Sequence, residues 1–166
     1  MFTRTSVLVL TASLFLTACS ASSDEVTPSD SADTSSVSVQ VTDNYGSEPV
    51  VFITPGDPVT QLQVTDLVVG TGDALAAGAM LTADYVGYGA ATGQMFDASW
   101  VRGEPATFPL AGVILGWQEG LVGMQVGGRR LLVIPAELGY GDNPPPGSGI
   151  EPGETLIFVV DLVSFE

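Results

Sequence analysis

The side chains able to do chemistry stand in four short stretches: Tyr85 in YVGY, Phe96-Asp97 in FDASW, Trp117 in VILGWQEGL, and Tyr140 in LGYG. They are aromatic faces, phenolic hydroxyls and one carboxylate. An aspartate in apolar company is costly unless paired, and Arg102, five residues beyond Asp97, is a reasonable partner. Trp117 alone reads either as a core side chain or as the floor of a binding site. Tyr140, before Gly141, reads either as a site hydroxyl or as a loop cap. Histidine and lysine are both absent. Without histidine the chain lacks the commonest general base near neutral pH and the commonest metal ligand. Triad hydrolases and histidine-based zinc sites therefore drop out, and no metal or cofactor is expected.

Nineteen acidic residues face four arginines (Arg4, Arg102, Arg129 and Arg130), a formal net charge of −15. A chain of pI ≈ 4.1 with no basic run is repelled by phosphate backbones, so nucleic acid is excluded as a partner. The acidity has two readings, a soluble surface or a preference for basic or neutral client segments. Hydrophobic residues at 45% still supply a core.

To position the four stretches, the chain offers strands and one helix. Residues 62–69 alternate with a slip near Asp66, predicting a strand with a bulge. Residues 80–88 form the next strand, with Leu81, Ala83 and Tyr85 on one face. A turn at 90–93 leads to a return strand beginning at Gln94-Met95-Phe96, and 105–110 is a further short strand. The helix spans 113–123, where Ile114, Trp117 and Leu121 make one apolar stripe. It is short enough that packing must hold it. Residues 129–134 and 155–165 are the last strands, the latter with Leu156, Phe158, Val160 and Leu162 on one face. Arg129 and Arg130 read as structural or surface charge. The predicted class is α+β: an antiparallel sheet of five to six strands with one short helix on its apolar side. The Arg102 segment and the Pro-rich loop around Pro145 are long enough to be functional.

In this order and spacing, and closing with Thr155-Leu156-Ile157-Phe158, the four stretches closely resemble the FKBP-type peptidyl-prolyl isomerases over residues 62–166. The resemblance implies an FKBP-like twisted sheet wrapped around the helix and isomerisation of the peptide bond before proline. It implies catalytic roles for Tyr85, Phe96, Asp97, Trp117 and Tyr140, and substrate-binding roles for Arg102, Val113, Ile114, Ile150 and Phe158. Trp117 is the implied floor beneath the proline ring, Asp97 the wall carboxylate and Arg102 its basic partner. The Tyr140 hydroxyl and the Ile114 N–H are the implied donors to carbonyls. The implied partners are proline-containing polypeptides and macrolide ligands. Three departures bear on preference: Ala106 where familiar members carry a rim Phe, a shorter stretch between Phe108 and Val113, and a PPPG loop tip with Glu151 after Ile150.

At the other end, residues 1–18 read as a signal peptide, with Arg4 before an apolar stretch too short for a comfortable membrane span of about 20 residues. Leu16-Thr17-Ala18-Cys19 resembles the lipobox of bacterial lipoproteins, which implies lipid on Cys19 and stable anchoring at the extracytoplasmic face of the cell membrane. Residues 19–48, rich in Ser, Thr and Asp, read as a flexible tether. Apolar density rises at Pro49-Val50-Val51-Phe52-Ile53, so the isomerase domain is expected over 49–166, as a monomer. Two functions follow: an isomerase acting on exported or envelope proteins, or a weakly active FKBP-like chaperone that holds prolyl segments. A solute-capturing lipoprotein lacks support, because one small domain offers no hinge between lobes.

Overall fold

The computed structural model describes residues 36–166. In chain order the elements are β1 (Ser38–Val41), β2 (Val51–Thr54), β3 (Gln63–Val68), β4 (Met80–Gly89), β5 (Met95–Ala98), β6 (Ala106–Pro109), α1 (Leu115–Gly120), β7 (Arg129–Ile134) and β8 (Leu156–Phe165). One antiparallel sheet runs β3-β7-β8-β4-β5, with β6 also on β4. The ten-residue strands β4 and β8 pair from Leu81↔Phe165 to Gly89↔Leu156. On its other edge β4 takes two short partners end to end: β6 along 80–83 and β5 along 86–88. The segment joining β5 to β6 must therefore leave the sheet beside Tyr85, and it carries Arg102. The bulge anticipated in the first sheet strand lies between Asp66 and Val68.

Both faces of the sheet are covered. Alternate residues of β7 and β8 (Leu132 and Ile134; Leu156, Phe158, Val160 and Leu162) join Trp117 and Leu121 in the core under α1. The intervening residues (Leu131, Val133, Ile157 and Val159) face Val39, Val41, Val51 and Ile53 of the β1–β2 hairpin. Two-sided burial explains why β7 and β8 read as nearly continuous apolar runs. Every residue of β7 is buried, arginines included.

The helix is shorter than the 113–123 expected. Val113 and Ile114 are extended, with ψ 175° and 152°, so Ile114 precedes the helix as its N-cap. Past the other end, Gly123 turns left-handed at φ 80°, a conformation glycine adopts without penalty. Inside α1, Gly116 and Gly120 face β7. A Cβ on Gly120 would stand 2.7 Å from Leu132 Cδ2, and one on Gly116 would enter the Ile134 side chain. These two glycines let the helix lie directly on the strand.

The tether boundary at 48 is also corrected. Val37, Val39 and Val41 alternate with polar residues, and β1 pairs in register with β2, Val41↔Val51 to Ser38↔Thr54. Arg129, read as structural or surface charge, is the fully buried anchor of this segment. Its guanidinium holds Asp161 through bonds of 2.5 and 2.8 Å and donates to the carbonyls of Thr42 (3.1 Å) and Ser47 (2.5 Å). The Gly46 N–H completes the Asp161 carboxylate at 2.8 Å. On the opposite face Arg130 donates to Asp66 at 2.6 and 3.0 Å and to the Gly120 carbonyl at 2.8 Å. It thereby satisfies one of the orphan acceptors at the end of α1. The expected signal peptide, lipobox and Cys19 lie outside the described residues.

Candidate active site

A cavity of about 320 Å³ opens between the sheet and the start of α1, a size that takes a prolyl ring and its neighbouring groups. Its walls are Tyr85, Phe96 and Asp97 on one side, Phe108, Gly112, Val113 and Ile114 on another, with Tyr140, Phe158 and Trp117 closing it. Trp117 is 3% exposed. Three rings stand nearly perpendicular to it: Phe158 at 5.3 Å (86°), Tyr85 at 5.4 Å (86°) and Phe108 at 6.0 Å (84°). Edge-to-face pairs of this kind add about 0.5–1.5 kcal/mol each beyond their burial. The Trp117 Nε1–H is buried with no hydrogen-bond partner among the described residues. Its desolvation cost, about 1–3 kcal/mol, is borne by the aromatic packing around it. Phe96 packs on Phe158 at 5.5 Å and 84°.

The polar wall is a closed triad. Tyr85 Oη donates to Asp97 Oδ2 at 2.5 Å and accepts from Arg102 Nη2 at 2.8 Å, while Arg102 Nη1 reaches Asp97 Oδ1 at 2.9 Å. The Arg102 guanidinium also stands 5.5 Å from the Tyr85 ring centroid. Burial, reinforced by the bond to Asp97, pushes the Tyr85 hydroxyl up from 10 to about 12, so it stays a proton donor. Arg102 is shifted up too, first by its bond to Asp97 and then by the bond to Tyr85. The Arg102 and Asp97 side chains are 44% and 45% exposed. Such a pair contributes at most about 1 kcal/mol, so its main effect is to fix the Tyr85 ring and the Asp97 carboxylate.

Ser99 sets this triad in place. Fully buried, its Oγ accepts from the Tyr85 N–H at 2.9 Å and donates to Asp84 at 2.8 Å. Its carbonyl accepts from the Arg102 N–H at 2.8 Å. Besides the buried Trp117 Nε1–H, two further donors in the lining are unengaged. The Ile114 N–H has no acceptor among the described residues, although the Ile114 carbonyl accepts from Trp117 and Gln118. The Tyr140 hydroxyl likewise has no partner there. Burial and then the Asp97 charge raise its pKa, so it too keeps its proton.

Of the ten residues singled out for the pocket, Tyr85, Phe96, Asp97, Val113, Ile114, Trp117, Tyr140 and Phe158 line one cavity. Arg102 bonds to two of them from outside the lining. Ile150, 8% exposed, packs in the same core cluster as Tyr85, Trp117 and Phe158 and is not among the residues that line the cavity. Phe108 and Gly112 were missed. Phe108 lies two residues beyond Ala106 in β6, hence on the same strand face, and it supplies an aromatic wall further along that face. Among the described residues no three His, Cys, Asp or Glu side chains are grouped to hold a metal, and no helix is long and apolar enough to cross a membrane.

Comparison with known proteins agrees with this geometry. The family model for the FKBP-type peptidyl-prolyl cis-trans isomerases matches residues 72–163. The chain is 49% identical over 119 residues to an FK506-binding protein of Streptomyces anulatus, covering 70% of this chain and 96% of that one. It is 45% identical over 118 residues to a probable FK506-binding protein of Corynebacterium glutamicum, covering 70% and 98%. Among solved structures, FkpA from Escherichia coli superposes with a TM-score of 0.59 at 41% identity, over 64% of this chain and 49% of that one. AtFKBP13 gives 0.58 at 35% identity, over 66% and 96%.

Proposed function

This chain belongs to the FKBP-type peptidyl-prolyl cis-trans isomerases, and on that premise we propose that it twists X-Pro bonds of exported or envelope proteins within the Trp117 cavity, without covalent chemistry. The observation that carries this reading is an aromatic cavity in whose wall the Ile114 N–H and the Tyr140 hydroxyl stand unengaged. A peptide bond resists rotation by about 18–20 kcal/mol because resonance makes its C–N bond partly double. Only before proline is the cis form well populated. At the barrier top the amide has lost resonance and is less charge-separated, so an apolar cavity favours it over the planar amide that water solvates well. The two donors hold flanking carbonyls while the bond turns. Lowering the barrier by about 4–7 kcal/mol accelerates the exchange roughly 10³–10⁵-fold.

Lipid on Cys19 holds the domain at the extracytoplasmic face of the membrane in this reading, which the apolar stretch and the LTAC tetrapeptide support. Macrolides are proposed as competing ligands of the same cavity, with FK506 as the probe, as named for the streptomycete relative.

Exchange NMR on a short X-Pro peptide tests the activity. Catalysed exchange that is strongly reduced in Asp97→Leu supports it, whereas a wild-type rate equal to the uncatalysed one leaves a holding module in its place. Loss of Cys19→Ala from the membrane fraction supports the anchor; full retention overturns it.

A further inference from the structure

Residues 36–166 hold 15 carboxylate side chains against three guanidiniums, a net of −12, and every one of those cations is already engaged. Arg129 is buried on Asp161, and Arg130, 8% exposed, is held by Asp66 and the Gly120 carbonyl. Arg102 is the one exposed cation among the described residues, and it stands beside the cavity. Its two terminal nitrogens are occupied by Asp97 and Tyr85. An acidic client reaching the cavity therefore meets no cation whose charge is not already paired with a carboxylate. The segments that frame the cavity instead carry exposed Glu104, Glu119, Glu137, Asp142 and Glu151, in addition to the Asp97 carboxylate in its wall. None of these five side chains has a cationic partner among the described residues.

We propose that this cavity selects by charge: it prefers polypeptide segments carrying Lys or Arg beside the X-Pro pair and disfavours segments carrying Asp or Glu there. The proposal rests on the isomerase reading for its substrate and adds which substrates are taken. Physically, a one-signed surface around a low-dielectric cleft concentrates oppositely charged ligands and repels like-charged ones. The effect reaches roughly 30 Å at 0.01 M salt and roughly 3 Å at 1 M. The selectivity is thus carried by encounter and binding, and salt erases it.

The test uses three peptides identical except for the residues flanking X-Pro, which are Lys, Gln or Glu. Exchange NMR gives kcat/KM for each at about 10 mM and about 1 M salt. The expected order at low salt is Lys over Gln over Glu, with Lys about 3- to 10-fold above Glu, the lower end of electrostatic steering. The three converge at high salt, and the combined Glu104→Gln, Asp142→Asn, Glu151→Gln variant narrows the low-salt ratio. A Lys-to-Glu ratio of one or below at low salt, or a ratio unmoved by salt, overturns the charge selection. Turnover of the Gln peptide reports separately on the isomerase reading. If no peptide is turned over, that reading fails, and chemical-shift titration of the same three peptides still decides the charge order through their dissociation constants.

Discussion

Gly87 in β4 is the least conspicuous determinant of the pocket. Its φ is not positive, so a methyl group there meets only a packing problem. A Cβ would stand 2.7 Å from Phe158 Cε1 and 2.8 and 2.9 Å from Phe96 Cζ and Cε2. Carbon atoms rest at about 3.5–4.0 Å, so each ring must retreat by roughly 1 Å. Phe158, packed edge-on against Trp117, yields only by straining that contact, whereas Phe96 is half-buried and swings more readily. Gly87→Ala is therefore expected to displace the Phe96 wall. Overpacking of this kind costs about 1–3 kcal/mol, offset by about 0.4–1 kcal/mol from the stiffer unfolded chain. The net, from near zero to about 2.6 kcal/mol, lowers Tm by up to about 10 °C for a domain of this size. A wall displaced by about 1 Å reduces kcat/KM by up to about 100-fold. Thermal unfolding and exchange NMR read the two effects on one sample. If Gly87→Ala leaves Tm unchanged and kcat/KM within about twofold, the reasoning that this glycine sets the ring positions is wrong.

Arg129→Met leaves Asp161 buried and uncompensated, at a cost of about 3–5 kcal/mol, and frees the carbonyls of Thr42 and Ser47. Calorimetry should show a large fall in Tm and limited proteolysis new cleavage near 42–50, while Arg129→Met with Asp161→Leu recovers stability but not protection of that segment. Tyr140→Phe removes a hydroxyl with no partner in the protein, so Tm should stay within the scatter of a neutral substitution. KM for an X-Pro peptide, read by NMR line-shape titration, should rise about 2- to 10-fold, the worth of one hydrogen bond. Stability measured by urea unfolding should decline between about pH 10 and 12. There the unfolded chain has released the Tyr85 proton that the folded chain keeps. Tyr45, Tyr88 and Tyr140 are raised as well, so Tyr85→Phe should shallow the slope without abolishing it.

Much of this was legible in the residues. The alternation in β4 and β8, the breaks at Gly and Pro, and the apolar spacing of Trp117 and Leu121 each express one element's burial, which a local pattern records. The β1 strand was obscured because Val37, Val39 and Val41 lie within Ser- and Thr-rich composition, and their period of two is meaningful only once a sheet face exists to receive it. The apolar run 131–134 in β7 fits burial on two faces, but nothing local says what the second cover is. Arg129 and Arg130 are adjacent in sequence yet point to opposite faces, one to the hairpin and one to the helix. That divergence follows from strand geometry. The Tyr85–Asp97–Arg102 triad was anticipated only in its Asp97–Arg102 half, because the third member arrives by strand pairing. Ile150 reaches the same core cluster from a Pro/Gly loop, a placement that only the folded chain reveals.

In the proposed mechanism an apolar cavity turns the X-Pro bond with no proton transferred. This mechanism is tested most directly by catalysed cis–trans exchange of one X-Pro peptide, measured by NMR in H2O and in D2O from about pH 6 to 9, with Trp117→Ala alongside. Wild-type acceleration of about 10³–10⁵-fold is expected, with a solvent isotope ratio near one and a flat pH profile, since the chain has no histidine and both cavity hydroxyls keep their protons. Trp117→Ala should lose most of the acceleration. An isotope ratio of about two or more, or a bell-shaped pH profile, would place a proton in flight at the transition state and rule this mechanism out.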